Sequence, residues 1–475
     1  MTDSADAYTL NRLQRYDCDV AVELHRRTLA NQQHKLGLDH ADALAEHGRS
    51  AAADQEARIA EGPAAPQRLR TDQQDSLGPD HPDTLATRFG IAEEMAACGD
   101  HAVAENAFRE VFAARQWTLG QDHPDTLLAR SSMAREMAAR GDHAGAEDEY
   151  RHVFAACQRT LGPDHPDTLA ARFRFAQQMA ARGDHAGADI AFRHVFAARH
   201  RTLGPDHPDT LATRFSIAQQ MAARGDHAGA EDELRQVFAA RQRTLGLDHP
   251  DTLAARFCFA QQMAALGDHA GAEGELRRVL AGEARTLGPD HPDTLIVRFS
   301  IAQQVAARGD QAAAADGFRA VLKHLDASLG PDHPDTLATR FSLAQAMAAG
   351  GDHATAEQEF QAVFAARLRT LDPDHPDTLA ARFGVAQAMA ARGDHASAEG
   401  EFRDMLPLLE RRLGADHPVT LILWFSIAWE MAARGDRAGA AGEFRDMLPH
   451  LRRRLGPEHP DTLAAAAWID RPARA

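Results

Sequence analysis

The residues with the most chemical promise sit in one recurring motif. The stretch LGPDHPDTLATRF occurs unchanged at residues 77–89, 203–215 and 329–341, and near-copies recur between and beyond them. Asp, His and Thr side by side could ligate a metal, relay a proton or activate a hydroxyl. A zinc site, however, needs its donors to converge about 2 Å from one ion. The histidines form two sets. His81, His123, His165 and their equivalents belong to the motif, while His101, His143, His185, His227, His269, His353 and His395 follow about twenty residues later. The spacing places the two sets at opposite ends of a helix, roughly 20 Å apart. Equivalent residues on stacked helices would be about 8–10 Å apart. Rows so arranged do not converge, so the motif reads as helix capping rather than metal binding or pH sensing. No metal and no cofactor is expected.

Other chemistry finds no support. GxxxxGK[ST], GxSxG and HExxH are all absent, and the only lysines are Lys35 and Lys323. Paired carboxylates such as Glu93-Glu94 read as a solvated helix face. No catalytic residue is assigned, and the chain is not expected to be an enzyme.

The elements that carry the motif follow from its period. Gly78, Gly120, Gly162, Gly204, Gly246, Gly288 and Gly330 step by 42 residues, as do Asp372, Gly414 and Gly456 after them. A fixed period in this range signals a solenoid. Within one period, Leu85, Phe89, Ala92 and Met95 mark the face of a first helix. Ala104, Phe108, Val111, Phe112 and Leu119 predict the buried stripe of a second. Gly99 stops the first helix and Asp100 caps the second. Asp80 or His81 is expected to cap the first, with Pro82 presetting its entrance and Asp83 at the positive end of its dipole.

Two such helices joined by Gly-Asp resemble the tetratricopeptide repeat. The resemblance rests on Ile91, Ala92, Met95, Gly99, His101, Ala104 and Phe108. The 42-residue period and the LGPDHPDT linker are similar to kinesin-light-chain-type repeats, as in actinobacterial arrays. It implies an all-α, right-handed superhelical solenoid of antiparallel helix pairs. The expected organisation is degenerate repeats or a cap over residues 1–82, nine repeats over 83–460, and a partial capping helix and tail over 461–475.

Composition bounds the partners. The formal charge of −17 disfavours nucleic acid, and no apolar run is long enough for a membrane span. Four dispersed cysteines without CxxC pairing point to a reducing cytoplasm, and the N-terminus shows no secretory leader. Twenty-six histidines make pH-dependent self-association one possible behaviour.

The resemblance implies that the first helices line a concave groove. Candidate partner-binding residues there are Arg135, Arg174, Gln177, Ser216, Gln219, Gln261, Ser300, Gln303, Ser342, Gln345, Gln387 and Trp429. Gln both donates and accepts, which suits an extended peptide backbone, although it is equally a neutral helix former on a wet surface. Trp429 reads either as a binding anchor or as a cover for the last interface, and Trp424 as packing. An arginine column from Arg88 to Arg382 has an acid seventeen residues later in seven of eight repeats, for example Glu105, Glu147 and Glu231. That spacing predicts an ion pair between the two helices of a repeat. The leading functional reading is a noncatalytic scaffold for a protein or extended peptide segment. The alternatives are a sensor or autoinhibitory arm working with a separate signalling ATPase or kinase, and the self-association already named.

Overall fold

The computed structural model describes residues 78–469, all of whose regular elements are helices. The degenerate repeats expected upstream of residue 78, and the tail from residue 470, lie outside the described residues. The described chain falls into two compact units, residues 78–275 and 276–469.

In the N-terminal unit the first helices are Pro82–Ala97, Pro124–Ala139, Pro166–Ala181, Pro208–Ala223 and Pro250–Ala265. They alternate with second helices His101–Leu119, His143–Leu161, His185–Leu203 and His227–Leu245, and His269–Thr286 completes the fifth pair. In the C-terminal unit the first helices are Pro292–Ala307, Pro334–Ala349, Pro376–Ala391 and Pro418–Ala433, with Pro460–Ile469 after them. Their second helices are Gln311–Ser328, His353–Thr370, His395–Leu413 and Arg437–Leu455.

The recurring motif is the device that starts each first helix. His81 is the cap, and its Nδ1 accepts the backbone N–H of Asp83 at 3.2 Å. His207 and His333 do the same for Asp209 and Asp335. An imidazole can accept there only with Nδ1 unprotonated, so the cap is a neutral histidine. Proline fills the first helical position, where a missing N–H costs nothing. At the other end Gly99 takes a positive φ of 86°, which an L side chain rarely adopts. Second helices open on an aspartate: Asp142 accepts the N–H of Gly145 at 2.9 Å, whereas Asp100, expected to cap the first of them, stands at the N-cap position without a side-chain cap bond. Caps of this kind are each worth about 1 kcal/mol.

Between the two helices of a repeat, aromatic rings meet edge to face. Phe173 and Phe192 lie 5.1 Å apart, and Phe341 and Phe360 5.3 Å apart. Ala92, Ala104 and Phe108 have no exposed surface, so the backbones approach closely. Consecutive repeats share the core. Ile217 joins Ala176 and Phe192 in one cluster, and Met133 joins Ala92 and Phe108 in another. One expected core residue is not in the core: Leu119 is 40% exposed. The second helix is 19 residues long against 16 for the first, and its last turn is exposed.

Candidate partner-binding face

Two polar clips tie successive repeats together, and they determine which side chains remain free. The first joins a histidine at the start of a second helix to an amide in the next first helix. His143 Nδ1 lies 3.1 Å from Gln178 Oε1, and His185 and His227 reach Gln220 and Gln262 at 3.0 Å. In two places the amide is a carboxylate: His101 meets Glu136 at 2.8 Å and His395 meets Glu430 at 2.7 Å. The sequence showed these histidines and glutamines but not their pairing, because the partners are 35 residues apart and belong to different repeats.

The second clip corrects an expectation. The acids seventeen residues after the arginine column do not pair with that arginine. Glu147 instead accepts Arg151 of its own helix at 2.7 Å and Arg182 of the next repeat at 2.6 Å. Glu399 likewise forms ion pairs with Arg403 and Arg434, each at 2.9 Å. The column arginine pairs two residues further on, Arg256 with Glu275 and Arg382 with Glu401 at 2.6 Å, and Arg214 with Glu233. Two residues are 200° apart around a helix. The later acid therefore turns back to its own repeat while the earlier one turns to the next. Trp424, which stands in the arginine column, donates its indole N–H to Glu443 at 2.7 Å and so occupies the same place in the pattern.

A further arginine column is buried. Arg199 stacks over Phe173 with 5.3 Å between guanidinium and ring centroid, and donates to the carbonyl of Asp209 at 3.2 Å. Arg241 repeats this over Phe215, donating to Asp251 at 2.9 Å. Burial pulls both guanidinium pKa values down from the usual range, with the following aspartate opposing it. Glu283 occupies this column in the fifth repeat. Its Oε2 has no hydrogen-bond partner, and burial with the nearby Asp293 charge pushes its carboxyl up to about 8.

With the clips in place, the groove candidates separate into three kinds. The serines are turned inward: Ser216 and Ser300 are buried, and their hydroxyls donate to the carbonyls of Ala212 and Ile296 in their own helices. Ser342 is half-buried and donates to Ala338 in the same way. The glutamines Gln177, Gln219, Gln261, Gln303, Gln345 and Gln387 are half-buried, one residue before the position used by the histidine clip. Gln177 Oε1 accepts Arg174 Nη1 at 3.1 Å, and Arg135 Nε donates to Glu136 Oε1 at 2.8 Å. Trp429 is half-buried, with its ring near parallel to Phe425 at 6.5 Å. Among the described residues no group of three or more His, Cys, Asp or Glu is placed to hold a metal ion. None of the described helices is long and apolar enough to cross a membrane.

Paired helices, shared alanine and phenylalanine positions and glycine-aspartate junctions match known repeat models. One tetratricopeptide repeat model matches residues 125–199 and 348–411, and a second matches residues 86–125, 210–251 and 263–293, together more than half of the chain. The chain belongs to the tetratricopeptide repeat family. Tetratricopeptide arrays are generally noncatalytic scaffolds that commonly bind proteins. Among solved structures, the chain is similar to a kinesin-light-chain-type protein of Podosopora anserina with nearly identical TPR-like repeats. That match has 29% identity and a TM-score of 0.40 over 44% of this chain and 98% of the other. It is also similar to BtubC of P. vanneervenii, at 16% identity and a TM-score of 0.40 over 53% of this chain and 94% of that one. A Rap protein complexed with competence and sporulation factor aligns at 12% identity and a TM-score of 0.45, over 81% of this tetratricopeptide chain and 96% of its own. No curated protein matches the chain.

Proposed function

We propose that this tetratricopeptide chain is a noncatalytic scaffold that binds an extended protein segment along the faces of its first helices. The observation that carries this is a division of labour between adjacent amides. Gln220 and Gln262 are consumed by the histidine clips, while Gln219 and Gln261 beside them stay half exposed. In the C-terminal unit Gln303, Gln345 and Gln387 hold the same position in their own repeats, as does Trp429. An amide presents a donor and an acceptor, as a peptide backbone does, so a column of them can bind a strand-like segment with little demand on its side chains.

The test is affinity capture with the wild type and with a Trp429→Ala, Gln219→Ala, Gln261→Ala variant of unchanged helicity. A partner held by the wild type and lost from the variant supports the face named here. A partner retained equally by both would move binding to the second helices or the ends.

A further inference from the structure

Every histidine clip lies at the same end of its junction. The histidine is the first residue of a second helix, and its partner sits in the last turn of the next first helix. Both are remote from the linker that joins those two helices. A junction is therefore tethered at one end by the chain and clasped at the other by side chains. A hydrogen bond or ion pair fixes an angle as well as a distance. Apolar burial is non-directional and tolerates neighbouring packings of similar area. A junction that loses its clasp keeps its tether but no longer has a fixed angle.

In the C-terminal unit the clasp is lost by degrees. Between the eighth pair, Pro376–Ala391 with His395–Leu413, and the ninth, Pro418–Ala433 with Arg437–Leu455, both clips are present. Between the seventh pair, Pro334–Ala349 with His353–Thr370, and the eighth, one remains. Glu357 still pairs with Arg392, but Ala388 replaces the amide, and the buried Nδ1 of His353 has no hydrogen-bond partner. Between the sixth pair, Pro292–Ala307 with Gln311–Ser328, and the seventh, all four clip positions differ, reading Gln311, Ala346, Ala315 and Gly350. Gln311 turns back to its own repeat and donates to the Ala306 carbonyl at 3.0 Å. Leu343 and Ala346 close instead on the apolar side chains of the sixth pair, Phe299, Ala302 and Phe318 among them. An ion pair does cross this junction, but at the tethered end. Arg340 Nη2 donates at 3.3 Å to Asp326, which lies near the close of Gln311–Ser328.

We propose that the junction between the sixth and seventh helix pairs is a hinge. The Gly330–His333 linker and the Asp326–Arg340 pair form its pivot, and the end at Gln311 and Ala346 opens and closes, changing the curvature of the C-terminal unit. Hinge motion of this kind needs only that two packings of one apolar layer be close in energy. A splay of about 10°, within the scatter of packed helices, moves the far end of a 16-residue helix by about 4 Å.

The test uses the full chain with two nitroxide labels introduced as genetically encoded amino acids, either at Ala312 and Ala396 or at Ala354 and Ala438. All four are exposed and follow the first residue of a second helix. Both label pairs span two junctions and share the one between the seventh and eighth pairs. They differ only in reading the unclasped junction or the fully clasped one. Electron–electron double resonance should give a distance distribution wider by about 4 Å for positions 312 and 396 than for 354 and 438. Gln311→His, Ala346→Gln, Ala315→Glu and Gly350→Arg together install the residues of the clasped junctions and should remove the excess width. Equal widths with the natural junction overturn the hinge, whether or not the fourfold variant folds. Excess width that persists in the folded variant overturns the missing clasp as its origin.

Discussion

At the scale of single residues, the chain spends its polar side chains on closing repeats rather than on chemistry. The motif that looked catalytic is a cap in which a neutral imidazole accepts the N–H two residues on. This much was legible from sequence, because capping is local and Pro82 and Asp83 announce it. The cross-repeat pairs were not, because one step along a helix turns a side chain through 100° and a two-residue error reverses its direction. Arg214 pairs with Glu233, two residues beyond the Glu231 to which its spacing points. Glu283 is the residue whose placement makes the clearest demand. It fills a position where Arg115, Arg199 and Arg241 each donate to a carbonyl, and a carboxyl can donate only while it keeps its proton. With its pKa raised to about 8, folded Glu283 holds a proton that the unfolded chain releases near the ordinary value of 4.5. Between those limits the folded state binds the extra proton, so stability falls as pH rises, by up to about 1.4 kcal/mol per unit, and levels off above the folded pKa. Chemical denaturation from pH 5 to 9 should show that decline in the wild type and lose it in Glu283→Gln. An identical pH dependence in both proteins would refute the assignment.

At the scale of elements, each helix pair is specified by its own sequence, but the junctions are not equivalent. In the C-terminal unit the junction after His395–Leu413 carries both clips, His395 with Glu430 and Glu399 with Arg434. The junction between Gln311–Ser328 and Pro334–Ala349 carries neither. Gln311 replaces the histidine and donates instead to the Ala306 carbonyl at 3.0 Å, Ala346 replaces the amide, and Ala315 with Gly350 replaces the acid and its arginine. The loss of the acid at Ala315 is thus explained by the loss of its partner in the next repeat. Apolar contact takes over there, as Leu343 and Ala346 pack with Phe299, Ala302 and Phe318. Ala315→Glu alone should destabilise the protein, since it puts a carboxylate at a buried position with only Arg319 of its own helix, already paired with Asp316, to meet it. Adding Gly350→Arg, at a position with an ordinary helical φ of −79°, should recover the loss and leave a coupling of about 1 kcal/mol in the double-mutant cycle. Strictly additive effects would show that the second clip cannot be transplanted.

At the scale of the whole molecule, near-identical repeats give a protein whose fold is highly legible and whose site is less so. The period, the histidine caps and most of the alanine-phenylalanine core follow from local pattern, with Asp100 and Leu119 as the departures. The binding face is harder to read because its residues differ from structural ones by a single position. Gln219 is offered to solvent while Gln220 is bonded, and Ser216 on the same helix is buried. Only the contacts between repeats separate them. The central claim is that the first helices present the binding surface. The most direct measurement places a photo-crosslinking amino acid at Gln219, and in a second protein at Asp232 on the exposed side of a second helix, and identifies what each captures. The account predicts a crosslinked protein segment from position 219 and none from position 232. Capture from position 232 alone would contradict it.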